Sequence, residues 1–164
     1  IESGVLVLGA TNIPWELDAA VRRRFERRVY IPLPDEGARR ELLRIHLGET
    51  PHSLAPSDLD RLASRTMGLS GADVSVLVRD ALLEPVRALQ AATHFRQGAD
   101  GRWSPCDARA RGAQPMQLLQ GPAGALATPD VRAADFDGPL KSVRPSVGRD
   151  DLRRHEEFRR EYGS

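Results

Sequence analysis

Six residues near the start of the chain have the types and spacing of half a nucleotide-hydrolysis site. The turn Gly9-Ala10-Thr11-Asn12 follows the apolar run Val5–Leu8, and Arg23 and Arg24 come eleven and twelve residues after Asn12. An amide both donates and accepts hydrogen bonds, so Asn12 can contact a γ-phosphate or orient the attacking water. A guanidinium held on a rigid element can stabilise a phosphoryl transition state in a neighbouring subunit. The pattern is typical of a ring-forming nucleoside triphosphatase.

The same residues also fit simpler roles. Asn12 is suited to a turn after a strand, and Arg22-Arg23-Arg24 to a basic surface patch or a nuclear-localisation-like run. Neighbouring side chains project about 100° apart around a helix, so the three arginines cannot share one solvated face. The run also lies between a capped helix and a predicted strand, not in a tail. The residues alone leave both alternatives open.

The other half of such a site is missing from the sequence. No G-x-x-x-x-G-K-[ST] loop is present to hold phosphates, and no acidic pair ends an apolar strand to hold Mg²⁺. We therefore expect the chain to be a fragment that begins inside a domain, inactive as an ATPase by itself. The four histidines and Cys106 show no metal-ligand spacing, so we expect neither a metal site nor a catalytic cysteine.

Composition predicts a soluble intracellular protein. The formal net charge is +1 with 29% charged residues, so no global field favours nucleic acid or a membrane surface. The single cysteine cannot form an internal disulfide, which suits a reducing compartment. No apolar stretch reaches the roughly 18 residues that a spanning helix needs, and no signal peptide is visible.

Residues 1–34 are predicted to be an α/β fragment, in which two parallel strands joined by a helix belong to a larger sheet. The unbroken apolar run Val5–Leu8 is typical of a strand buried on both faces. Asp18 can cap a helix from Ala19 to about Phe25. A second strand is predicted over Arg28–Ile31, before two prolines end it.

Residues 35–96 and 131–164 are predicted to be helical and to end in a C-terminal helix. Asp35 and Ser70 can cap helices, and Asp73 completes a capping box with Ser70. The predicted helices cover residues 36–47, 58–65 after a cap at Ser57, 71–93, 132–143 and 150–162.

Residues 97–130 break this helical pattern, because they are rich in glycine, proline and alanine. We interpret them as a small β-domain-like insert. One short hairpin is expected there, around Trp103 and around Met116 to Leu119.

Together these motifs resemble the AAA ATPases of the meiotic clade, and within it the vacuolar protein sorting 4 branch. The resemblance covers nearly all of residues 4–163 and is most specific over the first 95. It rests on Gly4–Trp15, Leu17-Asp18, Arg22–Phe25, Ile31–Pro34, Leu69–Asp73, Arg79–Leu82, Pro85–Arg87, Gln90, Ala92–Phe95, Arg144–Val147 and Asp150–Leu152.

The resemblance implies that residues 1–34 are the end of the parallel P-loop-type sheet of a large ATPase domain, and that residues 35–96 and 131–164 are the helical small domain, or lid. It also implies roles for individual residues. Asn12 matches the sensor-1 position, and Arg23 and Arg24 match two arginine fingers. Gly71 and Ala72 match the lid contact near adenine. The implied cofactors are ATP and Mg²⁺, most of whose ligands precede these motifs in the family.

The resemblance also implies partners. The parent protein would be a homo-oligomeric, hexameric ring that disassembles filaments of the endosomal sorting complex required for transport III, in multivesicular body sorting and membrane scission. It would be cytoplasmic and peripheral to endosomal membranes, touching the membrane only indirectly. The insert at 97–130 would bind an activating cofactor protein. However, Gln114 stands where the family has an isoleucine, which argues against that contact.

Two alternatives remain at this point. One is a microtubule-severing AAA ATPase of the katanin or spastin type, which the long insert after Phe95 disfavours because those enzymes have no β domain there. The other is a non-catalytic remnant that keeps only ring-contact and adaptor-binding surfaces.

Overall fold

The computed structural model describes residues 4–118 and 125–163 of the 164-residue chain. These residues divide into two compact units. The terminal unit consists of the described residues up to Pro32 and from Val147 onward, and the central unit is Leu33–Ser146. No helix among the described residues is long and apolar enough to cross a membrane.

The terminal unit contains two helices, α1 (Ala19–Arg24) and α6 (Arg149–Tyr162), and a 3₁₀ turn at Pro14–Glu16. α1 forms as predicted because the Asp18 carboxylate accepts a hydrogen bond from the Ala20 amide at 2.7 Å. Cations fill its last turn, where the helix dipole favours them.

The two strands predicted in residues 1–34 are wrong for the described chain. Val5–Leu8 and Arg28–Ile31 form no strand, and the side chains of Val5 to Leu8 are 67–91% exposed. A parallel strand is stable only when neighbouring strands satisfy its backbone groups and cover its faces. The described residues of this unit contain no such neighbour. The apolar pattern therefore lacks the sheet that would bury it.

The central unit is built on three helices, α2 (Glu36–Leu47), α3 (Pro56–Arg65) and α4 (Gly71–Ala91). Asp35 caps α2 by accepting from the Ala38 amide at 2.8 Å, and Gly48 ends it at a φ of 55°, which favours glycine. α3 begins at Pro56, so the cap predicted at Ser57 is wrong and Ser57 lies inside the helix. The rigid φ of proline suits that first position.

The core of this unit lies where α2 packs against both α3 and α4. On α4 the buried residues follow the i, i+3, i+4 spacing of one helix face. A short 3₁₀ segment, Ala133–Phe136, and α5 (Asp137–Ser142) occupy the predicted helix of 132–143 and close the core. The largest buried side chains are Leu43, Leu47, Val74, Leu77, Val78, Phe95 and Phe136.

A three-stranded antiparallel sheet follows α4. Its strands are β1 (His94–Gln97), β2 (Trp103–Pro105) and β3 (Gln114–Pro115), in the order β2-β1-β3. The predicted strand at Trp103 is confirmed, but it pairs with β1, which starts before the predicted insert. The other predicted arm ended at Leu119, which lies outside the described residues, and the strand found there is Gln114–Pro115 instead.

Candidate functional site

The three successive arginines of α1 have different environments. Arg22 is half-buried, and its guanidinium carbon lies 5.2 Å from the centroid of the Tyr162 ring. Arg23 and Arg24 are exposed, and neither makes a hydrogen bond or ion pair with the described residues. Arg22 is therefore used for packing inside the terminal unit, while Arg23 and Arg24 are available to another molecule.

The turn that carries Asn12 lies beside the end of α1. A Cβ atom at Gly9 would stand 3.5 Å from Cζ of Phe25, the residue that directly follows Arg24. The Thr11 hydroxyl shapes the turn by accepting from the Ile13 amide at 3.1 Å. Asn12 itself is exposed. The structure thus brings the Gly9–Asn12 turn to the α1 segment.

Gly71 and Ala72 lie in the central unit, in the first turn of α4. A Cβ atom at Gly71 would meet only Leu42 Cδ1, at an ordinary contact distance of 3.8 Å, and Ala72 is exposed. Packing inside this unit therefore does not require glycine at position 71. Two small residues keep this helix end open, as the approach of a planar ring would need.

Asp73 holds the same helix end in place. Its carboxylate accepts from the Ser70 amide at 2.8 Å, the Ser70 hydroxyl at 2.9 Å and the Ser146 amide at 3.1 Å. Burial alone would raise the pKa of Asp73, but the hydrogen bonds from Ser70 and Ser146 outweigh it and lower the pKa. The carboxylate thus ties the start of α4 to the segment that precedes α6, as an ionised group.

Sequence reasoning missed two structural arginines. Arg28 donates from Nη2 to the Arg22 carbonyl at 2.7 Å and from Nη1 to the Tyr162 carbonyl at 2.9 Å. Arg39 is 5% exposed and donates to the carbonyls of Ala63, at 3.1 and 3.0 Å, and Pro34, at 2.8 Å. Arg39 shares its helix face with Leu43 and Leu47, a pattern that could have marked it as buried. Arg28 gave no such signal.

An aromatic cluster fixes α6 inside the terminal unit. The His155 ring lies 4.9 Å from Trp15 in an edge-on arrangement and 6.1 Å from Tyr30 in a stacked one. Phe158 packs on Tyr162 with ring centroids 4.9 Å apart. One face of α6 is therefore a docking face, and residues 15 and 30 of the same unit lie against it.

Two known families match most of the chain. Residues 57–97 match the AAA+ lid domain, and residues 103–163 match the Vps4 C terminal oligomerisation domain. The first of these contains most of α3 and all of α4, and the second contains β2, β3, α5 and α6. The predicted helical lid is thus confirmed, and the resemblance to the vacuolar protein sorting 4 branch is confirmed with it.

Similar proteins of known sequence agree with this assignment. The chain is 45% identical to vacuolar protein sorting-associated protein 4A of Homo sapiens, a match that covers 98% of the chain and 39% of that protein. It is 47% identical to Protein SUPPRESSOR OF K(+) TRANSPORT GROWTH DEFECT 1 of Arabidopsis thaliana, covering 97% and 38%. Katanin p60 ATPase-containing subunit A1 of Strongylocentrotus purpuratus is 38% identical, a match that covers 98% of this chain and 27% of that protein. The chain thus spans about two fifths of the vacuolar protein sorting relatives.

Solved structures match as well. The crystal structure of the FIGL-1 AAA domain aligns with a TM-score of 0.73 at 30% identity, covering 97% of this chain and 44% of that one. A chain in the crystal structure of Vps4 and Vta1 aligns with a TM-score of 0.58 at 34% identity, covering 68% of this chain and all of that one. A katanin structure aligns with a TM-score of 0.62 at 36% identity, covering 90% of this chain and 44% of that one.

Proposed function

The chain belongs to the Vps4 family of AAA proteins, and we propose that it is the part of an ATP-hydrolysing ring protein that supplies arginines to a neighbouring subunit. The proposal rests on the different environments of the three arginines of α1. Arg22 packs on Tyr162, whereas Arg23 and Arg24 are exposed and unpaired among the described residues. A rigid arginine pair without a partner in its own chain is suited to a phosphate held by the next subunit.

The proposed reaction transfers the γ-phosphoryl group of ATP to water, and the residues of this chain assist it without forming a covalent bond to the phosphate. In this chain, the Asn12 amide would orient the attacking water or contact the γ-phosphate, and Arg23 and Arg24 would stabilise the charge that develops in transfer. Gly71 and Ala72 would face adenine. The described residues hold no group of carboxylates, histidines or cysteines that fits a metal ion, so we assign no Mg²⁺ ligand to them.

We propose that the ring is a homo-hexamer and that it disassembles filaments of the endosomal sorting complex required for transport III. Support comes from relatives named for vacuolar protein sorting at 45% identity over nearly the whole chain, and from the oligomerisation domain at residues 103–163. The corresponding place of action is the cytoplasmic side of endosomal membranes.

The small sheet is the proposed binding site of an activating cofactor protein. We expect this chain to bind that protein more weakly than a chain with an apolar residue at position 114 would. One similar structure contains Vps4 together with Vta1. In this chain, Gln114 lies exposed in β3, opposite Phe95 of β1. A carboxamide at a position where an apolar side chain would be buried must give up its hydrogen bonds to water. We therefore expect Gln114→Ile to tighten cofactor binding.

Microtubule severing is the second candidate, because the katanin structure aligns over 90% of the chain. The lower identity of the katanin sequence, 38% against 45%, disfavours it. A purified full-length protein given ATP and either endosomal filaments or microtubules separates the candidates. Release of filament subunits supports the main proposal, and cut microtubules beside intact filaments support the second. A protein that assembles but hydrolyses no ATP would be the non-catalytic remnant.

A further inference from the structure

One guanidinium in the terminal unit binds the last carbonyls of two helices. Nη2 of Arg28 donates to the Arg22 carbonyl in the last turn of α1, and Nη1 donates to the Tyr162 carbonyl at the end of α6. Carbonyls in the last turn of a helix have no partner within the helix and carry the negative end of its dipole. The fork of a guanidinium can satisfy both ends at once.

A second contact joins the same two helix ends. The guanidinium carbon of Arg22 lies 5.2 Å from the centroid of the Tyr162 ring. The Phe158 ring also packs on Tyr162, with the two ring centroids 4.9 Å apart. The last turn of α6 is therefore attached to the last turn of α1 through a backbone-directed link and a side-chain link. Both links end on Arg22, the residue that directly precedes Arg23.

α1 needs this support because it has only six residues. Isolated helices shorter than about 12 residues are marginal in water, so tertiary contacts must hold α1 in shape. Its cap at Asp18 stabilises the first turn, whereas Arg23 and Arg24 lie in the last turn. The orientation of this arginine pair depends on whatever holds the C-terminal end of α1.

We propose that Arg28 is a positioning residue, which holds the end of α1 against the end of α6 and so aims Arg23 and Arg24 at the neighbouring nucleotide. The proposal rests on the proposed function. Arg28 does not touch the nucleotide in this account. It acts through the backbone of Arg22.

The test uses the full-length protein and the substitution Arg28→Ala. Misplacement of a catalytic group by about 1 Å can cost about 100-fold in rate, so kcat for ATP should fall about 10- to 100-fold. The KM for ATP and ring assembly should change less than about threefold, because other residues hold the nucleotide. Arg27→Ala is the matched control, because Arg27 is exposed. The kcat of this variant should stay within about twofold of wild type.

We call the two hydrogen bonds from Arg28 to the Arg22 and Tyr162 carbonyls the clamp. Hydrogen exchange reports on the clamp independently of activity. In Arg28→Ala the amides of α1 should exchange about tenfold faster, whereas in Arg27→Ala they should not. If Arg28→Ala fails to fold, Tyr162→Ala takes its place, because it removes the ring under Arg22 and leaves Arg28 intact. It should lower kcat and speed exchange in α1 in the same direction, while Tyr162→Phe, which keeps ring and carbonyl, should not.

The outcomes separate the clamp from the proposed function. Normal kcat and normal exchange in Arg28→Ala, with Arg23→Ala inactive, would overturn the clamp alone. If Arg23→Ala is also fully active, the proposed function is wrong, and exchange in α1 still decides whether Arg28 holds the helix. A fall in kcat accompanied by an equal loss of assembly would show a general structural role and overturn the positioning role.

Discussion

Replacing either exposed arginine of α1 should remove ATP turnover and leave folding intact. Arg23 and Arg24 have no partner among the described residues, so each alanine substitution should change the free energy of unfolding by less than about 0.5 kcal/mol. An arginine finger contributes about 10³–10⁵ in rate in related phosphoryl transfers. At about 1.36 kcal/mol for each factor of ten, this loss raises the activation barrier by about 4–7 kcal/mol.

The assay is steady-state ATP hydrolysis by the full-length protein, with thermal unfolding measured on the same samples. Arg23→Ala and Arg24→Ala should lose turnover severely without a matching loss of stability. Nucleotide affinity of an isolated subunit should barely change, because the arginines act on the phosphate of a neighbour. Arg27→Ala is the control, since Arg27 is also exposed but lies outside α1.

A basic surface patch makes a different prediction. Its effects would be modest, would weaken with added salt and would be shared equally among the arginines of residues 22–28. If Arg23→Ala and Arg27→Ala reduce turnover by the same small, salt-dependent factor, the assignment of Arg23 and Arg24 is wrong.

Four further predictions concern the chain and its domains. Residues 1–164 alone should bind ATP weakly, and micromolar affinity by calorimetry would contradict this. In the same fragment, amides of Val5–Leu8 should exchange freely, because these residues are in no strand; strong protection in a monomer would count against it. The pKa of Asp73 in the folded chain is lowered below its ordinary value of 3.8. The contribution of Asp73 to the free energy of unfolding should therefore be fully present above the unfolded pKa and be lost as the pH falls through the folded pKa. Asp73→Asn should cost about 1.5–3 kcal/mol at pH 7 and flatten the acid unfolding curve, and an unchanged curve would refute this. Gln114→Ile should tighten binding of a Vta1-type cofactor, and equal affinity would show that Gln114 is not at the interface.

The helices of the lid were predictable because their signals are local. The bounds of α2 follow from a capping aspartate, an apolar spacing and a terminal glycine within fourteen residues, Asp35 to Gly48. The capping box of Ser70 and Asp73 likewise marks the start of α4. Each signal acts within one or two turns, so no knowledge of the rest of the molecule is needed.

The strands of residues 1–34 could not be predicted correctly for this chain, because a strand depends on its neighbours. The pattern of Val5–Leu8 describes a surface that a sheet would bury, and that sheet is absent among the described residues. The link between Arg28 and Tyr162 was also out of reach, since it joins residues 134 positions apart. Nothing near Arg28 in sequence indicates which carbonyls it will bind.

The activity of mixed rings shows whether Arg23 acts on the nucleotide of a neighbouring subunit. Full-length subunits that carry Arg23→Ala are combined with subunits that lack the phosphate-loop lysine, each inactive alone. Some mixed interfaces then place an intact arginine pair beside an intact nucleotide site, so partial ATP turnover should return. If rings assemble normally and the mixture stays as inactive as either parent, Arg23 does not act on a neighbouring subunit and the account is wrong.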